Sequence, residues 1–73
     1  MDSTNKKIII FTDTLNRDGI GIELYINDIM ILEIFRDDST NQKYINLLQK
    51  DVSLDLIEEC ISIFNRDIIE KMN

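Results

Sequence analysis

The thiol of Cys60, the adjacent carboxylates Asp37-Asp38 and the oxygen-rich run from Thr14 to Asp18 are the places where this chain could do chemistry. A cysteine nucleophile needs a base to generate its thiolate. The commonest base and metal ligand, histidine, is absent from the sequence. Cys60 also falls on the apolar stripe of an expected helix, where a thiol is a buried packing group. No Cys/His cluster is spaced for zinc. Paired carboxylates can divide acid and base roles. Asp37-Asp38, however, follow Arg36 and precede Ser39-Thr40-Asn41-Gln42, the composition of a solvated turn with Arg36 as an ion-pair partner. Thr14-Leu15-Asn16-Arg17-Asp18-Gly19 echoes the opening of a calcium loop, but its twelfth position is Tyr25, where a bidentate carboxylate is required. Gly19-Ile20-Gly21 leads into a strand rather than a helix N-terminus and so builds no phosphate cradle. Glu23 and Glu33 are expected on opposite faces of a hairpin and so do not make an obvious catalytic pair. The reading is of a protein that is not an enzyme, with no catalytic, cofactor-binding or metal-binding residues.

The element that organises the chain is the stretch from Gly21 to Arg36. Two runs rich in Ile, Leu, Tyr and Phe flank Asn27-Asp28, and both of those residues tolerate the left-handed backbone of a two-residue hairpin turn. That turn pairs Ile26 with Ile29, Leu24 with Ile31 and Ile22 with Glu33. One face of the hairpin then carries Ile20, Ile22, Leu24, Ile26, Ile29, Ile31, Glu33 and Phe35, with Glu33 as the misfit. The other carries Gly21, Glu23, Tyr25, Met30, Leu32, Ile34 and Arg36, and is more apolar than a solvated face should be. Gly21 inside the strand marks a bulge or a close backbone approach. Lys7–Thr12 reads as a first strand lying beside the second, and Lys43–Leu48 as a short fourth. A helix follows from about Ser53 to Lys71. Ser53 is its N-cap, Asp55 sits in its first turn, and Val52 and Ile57 form a staple. Its buried stripe is Ile57, Cys60, Ile61, Phe64, Ile68 and Met72.

The totals limit the partners. At 73 residues the chain makes a single domain, with residues 1–6 as a flexible tail. A domain of this size buries only about 60% of its unfolded surface, so packing, a partner or self-association must supply its margin. Net charge is −6, from 14 acidic and 8 basic residues, and Lys6-Lys7 is the one adjacent basic pair. Nucleic-acid binding needs clustered cations and is discounted. An acidic surface suits a basic protein partner. No run approaches the ~20 apolar residues of a membrane span. A lone Cys and no signal-like leader point to a soluble, cytoplasmic chain.

Gly21-Ile-Glu-Leu-Tyr-Ile-Asn-Asp28, Leu32-Glu-Ile-Phe-Arg-Asp-Asp38 and Val52-Ser-Leu-Asp-Leu-Ile-Glu-Glu59 together resemble small bacterial proteins of the immunity type, encoded beside toxins. These share a hairpin, an E-[IV]-F-R-D-D segment, a short strand and a closing helix. The resemblance covers about residues 19–65 and carries over no catalytic or ligand residues. It implies an inhibitor that blocks a partner protein.

The expected fold is α+β, a four-stranded and mainly antiparallel sheet with one C-terminal helix on one face (ββββα). The helix can cover one face only, so the apolar residues of the other call for a partner. The expected contact residues are Tyr25, Met30, Leu32, Ile34, Asp37 and Asp38. Their occupant is either a protein partner, basic in charge, or a second copy. A homodimeric domain for small-ligand sequestration or scaffolding is the alternative function.

Overall fold

The computed structural model describes residues 5–70. Four strands, β1 (Lys6–Asp13), β2 (Gly19–Ile26), β3 (Ile29–Asp37) and β4 (Gln42–Leu47), precede a helix α1 (Leu54–Phe64) that widens into a π-helical segment (Asn65–Glu70). The sheet is an antiparallel meander in the order β1-β2-β3-β4. This is the expected ββββα arrangement.

Local chemistry sets most of these boundaries. Asn27 and Asp28 adopt φ of 52° and 68°, the left-handed pair that a tight hairpin turn demands. Ser53 Oγ accepts the Leu56 amide at 3.1 Å and caps α1, and Asp55 places a carboxylate at the positive end of the helix. Val52 and Ile57, the expected staple, are both part-buried against the core. β1 begins at Lys6, and Asn5 exchanges hydrogen bonds with Asn27 at the hairpin turn (2.8 and 3.0 Å). Lys6 therefore belongs to β1 and Asn5 is tied to the hairpin turn, whereas both were expected in the tail. The rest of that tail, and the expected helix end with Lys71 and Met72, lie outside the described residues.

The hairpin register departs from the expectation after one step. Ile26 pairs with Ile29 as expected and Tyr25 with Met30. A bulge then leaves Ile31 without a partner in β2, so Leu24 meets Leu32, Glu23 meets Glu33 and Ile22 meets Ile34. One extra residue in a strand reverses every side chain beyond it. The bulge is therefore in β3 and not at Gly21. Leu32 and Ile34 move to the helix side, while Glu33 and Phe35 move to the other.

The core follows from that reversal. Ile22, Leu24, Leu32 and Ile34 from the sheet pack against Cys60, Phe64 and Ile68 from the helix, all at most 5% exposed. The four-residue spacing of the three helical members keeps them on one face. Ile61, expected on the same stripe, is 43% exposed on its flank. α1 lies over the two middle strands. On the outer strands the helix-side residues Ile10, Ile45 and Leu47 stay exposed.

Candidate functional site

Two places gather side chains beyond what the core requires. The first is the sheet face turned away from the helix. Phe35 lies there and is nevertheless fully buried. Its ring sits over Gly19 and Gly21, where an added Cβ would run into the Arg36 and Ile34 carbonyl oxygens and the Phe35 ring itself. The two glycines thus form a seat that no larger residue could share. Phe11 stacks on one side of Phe35 at 5.7 Å between centroids, and Tyr44 tilts against the other at 5.8 Å.

Arg17, from the loop between β1 and β2, closes this seat. Its guanidinium carbon lies 4.0 Å from the Phe35 ring centre, a close cation–π contact. The same group forks onto Glu33, with Nη1 donating to Oε1 at 3.1 Å and Nη2 to Oε2 at 3.0 Å. Nη1 also donates to the Tyr44 hydroxyl at 3.2 Å, and Nε donates to Asp13 Oδ2 at 3.2 Å. The other oxygen of Asp13 accepts the Leu15 and Asn16 amides, which folds the loop and carries Arg17 into place. Asn46 Nδ2 completes the Glu33 carboxylate at 2.8 Å.

The electrostatics are those of a closed circuit. The fork from Arg17 outweighs desolvation and holds the Glu33 carboxyl below its ordinary range, and Glu33 in turn raises Arg17. Asp13 is lowered chiefly by the Asn16 amide. No buried side-chain nitrogen or oxygen among the described residues lacks a partner. Glu23 faces Glu33 directly across the strands, on the same face and not on the opposite one as expected. Tyr25 donates its hydroxyl to Glu23 at 3.2 Å. Of this pair, Glu33 alone has both carboxylate oxygens engaged, by Arg17 and Asn46.

The second place is a groove of about 340 Å³ between α1 and β4, lined by Ile34, Lys43, Tyr44, Ile45, Ile61, Phe64 and Asn65. It is mostly apolar and contains no carboxylate. Along its outer side runs the free edge of β4, with Ile45 and Leu47 exposed at 38% and 52%. No salt bridge engages Lys43 among the described residues.

The expected contact residues scatter over this framework. Leu32 and Ile34 are buried under α1 at 0% and 5% exposure, so they belong to the core and offer no contact surface. The bulge at Ile31 is the physical reason. Tyr25 and Met30 pair across the hairpin and are half-buried. Asp37 accepts the Ser39 amide and hydroxyl, which lower its pKa, with the hydroxyl the larger cause. Asp38 is ion-paired with Arg36 at 2.8 Å. The structure therefore assembles no single surface from the six. Arg17, Phe35 and Tyr44, and the β4 strip, are what the sequence reading passed over. The visible signal for the first group was Gly19-Ile-Gly21, two strand positions with no side chain, which called for a large ring above them. Cys60 is fully buried, and burial raises its thiol pKa. Among the described residues no group of three or more His, Cys, Asp or Glu is placed to hold a metal. No helix among them is long and apolar enough to cross a membrane.

No family model, curated protein or solved structure matches the chain.

Proposed function

We propose that this chain is a non-catalytic protein-binding module, acting as an immunity-like inhibitor of a bacterial toxin or similar partner in the cytoplasm. One observation carries the binding part. The groove between α1 and β4 and the unpaired edge beside it form an apolar strip that the fold leaves uncovered, and such strips mark interaction sites. The charged cluster around Arg17 supports the non-catalytic part, since its Arg17 and Glu33 groups are engaged with each other and with Asp13, Tyr44 and Asn46. The inhibitory part rests on the resemblance of residues 19–65 to immunity-type proteins. Relative to the sequence reading, Ile45, Leu47 and Ile61 replace Leu32 and Ile34 as the apolar contacts.

A second reading has its own support. Backbone groups on the free edge of β4 are complementary to themselves, which suits a homodimeric scaffold. Both readings use one surface, so a partner protein binding there would displace the second copy.

Calorimetric titration against the protein encoded beside this one tests the first reading. Binding is expected, with Ile45→Asp and Leu47→Asp each weakening it at least tenfold. Unchanged affinity in both variants would remove the groove from the interface.

A further inference from the structure

The free edge of β4 can be read residue by residue. The Leu48 amide donates to the Ile31 carbonyl at 2.9 Å across the β3–β4 ladder. Backbone groups alternate in direction along an antiparallel strand. Even-numbered residues Gln42, Tyr44 and Asn46 therefore turn their amides and carbonyls to β3. Odd-numbered Lys43, Ile45 and Leu47 turn theirs outward. The same three residues pair with Arg36, Ile34 and Leu32, so their side chains stand on the helix side, beside the groove.

We infer that the occupant of this edge is a second copy of the chain, paired β4 to β4 in antiparallel fashion about a two-fold axis through Ile45. The inference rests on the reading of the groove and edge as a docking surface, and it names what docks there. In that register Ile45 faces the partner's Ile45, and Lys43 faces the partner's Leu47. Every outward amide and carbonyl of the three residues finds its mate, and two four-stranded sheets become one of eight. Ile45 and Leu47 of both copies form a continuous apolar band, flanked by Ile61 on each helix.

Charge singles out this surface for self-association. A chain of net charge −6 with 14 acidic residues repels its own copies over most of its surface. Neither β4 nor the groove carries a carboxylate, so the copies approach here with least repulsion. The two Lys43 side chains lie four strand residues apart across the axis, roughly 13 Å. That exceeds the Debye length of about 8 Å at physiological salt. The opposite edge is less suited. β1 begins with Lys6-Lys7, and Lys6 is bound to Glu59 of α1 at 3.2 Å. An interface of ordinary size takes roughly 800 Å² from each copy. That is about 15% of the 5202 Å² surface.

The test is light scattering and amide hydrogen exchange on the whole chain, from about 1 μM to 1 mM. A dimer is expected whose formation protects the amides of Lys43, Ile45 and Leu47 as concentration rises, while those of Tyr44 and Asn46 are protected throughout. Added salt should tighten it, because the charges being screened are alike; attraction to a basic partner would weaken instead. Ile45→Lys should raise the dissociation constant at least tenfold. Leu47→Glu, which meets the partner's Lys43, should dimerise at least threefold more tightly than Leu47→Lys, although it adds to the net negative charge. These two remove the same apolar side chain, so their difference reports register and not folding. A monomer at all concentrations that binds a different protein through Ile45 and Leu47 would overturn the second copy and leave the docking surface standing. A dimer indifferent to Ile45→Lys, with the three amides still exchanging freely and no other protein bound through Ile45 and Leu47, would overturn both.

Discussion

The two faces of this sheet bury their aromatic and aliphatic groups by opposite means. Under the helix, Ile22, Leu24, Leu32 and Ile34 meet Cys60, Phe64 and Ile68, and the stabilisation is that of apolar area removed from water. On the far side the described residues form no second layer. Phe35 is sealed between a seat of two glycines and a lid made by one arginine, and the lid is held by Glu33, Asp13 and Tyr44. The first face needs a helix. The second needs a single loop residue whose guanidinium is flat enough to stack and has donors enough to be tied down on both sides. A small sheet can therefore cover both faces with one helix, provided that the uncovered side supplies its own lid. The apolar excess expected on that side shrinks once Leu32 and Ile34 are seen to be core residues and Phe35 is seen to be covered by Arg17. The case for association moves from the sheet face to its β4 edge.

The comparison can be broken from either side. Phe64→Ala removes the central ring of the helix face and should cost about 3–5 kcal/mol, read from urea or thermal unfolding. Gly21→Ala attacks the seat, where the new Cβ meets the Ile34 carbonyl and two rings. Backbone cannot yield there as a flexible side chain would, and roughly 2–3 kcal/mol of destabilisation is expected. Arg17→Ala lifts the lid. Glu33, with a side chain 10% exposed, keeps only Asn46, and the loss should be about 2 kcal/mol, short of the value for a fully buried pair because Arg17 is itself 28% exposed. A double-mutant cycle with Glu33→Gln should show that most of that loss is shared between the two residues.

Acid sharpens the contrast. Glu33 titrates lower in the folded than in the unfolded chain, whose carboxyl lies near 4.5. Between those values the unfolded state binds more protons, so stability rises with pH in that window. The contribution is complete above about 4.5 and is lost as pH falls through the lower, folded value. Denaturation midpoints measured from pH 6 down to pH 2 should fall steeply in the native chain and in Phe64→Ala, and less steeply in Glu33→Gln. Equal slopes in all three would mean that the far face holds no charge-dependent lid. The smallest effect belongs to the helix side alone. Ser53→Ala removes the cap of α1 and should cost about 1 kcal/mol, independent of acid over the same range.

Much of this architecture was legible in the sequence because local signals are unambiguous. Asn27-Asp28 could hardly be other than a tight turn, and Ser53 with Asp55 announces a helix start. The bulge was hidden for a physical reason. Met30, Ile31 and Leu32 are consecutive apolar residues, so an added residue among them leaves no break in the alternation that reveals a register. Glu33 gave the one hint, as a carboxylate placed on an apolar face. Its correct position, opposite Glu23 and beneath Arg17, required knowing that a polar loop folds back over the sheet. No periodicity encodes that. The exposed strip on β4 was likewise invisible, since Ile45 and Leu47 look like core positions until the track of the helix is known.

The placement of Cys60 gives this molecule a clock of its own. The sulfur faces the sheet, wholly out of reach of reagents, and can react only after α1 lifts away. With one cysteine in the chain, the pace of its alkylation would time that opening in the unaltered protein, with no dye or engineered probe.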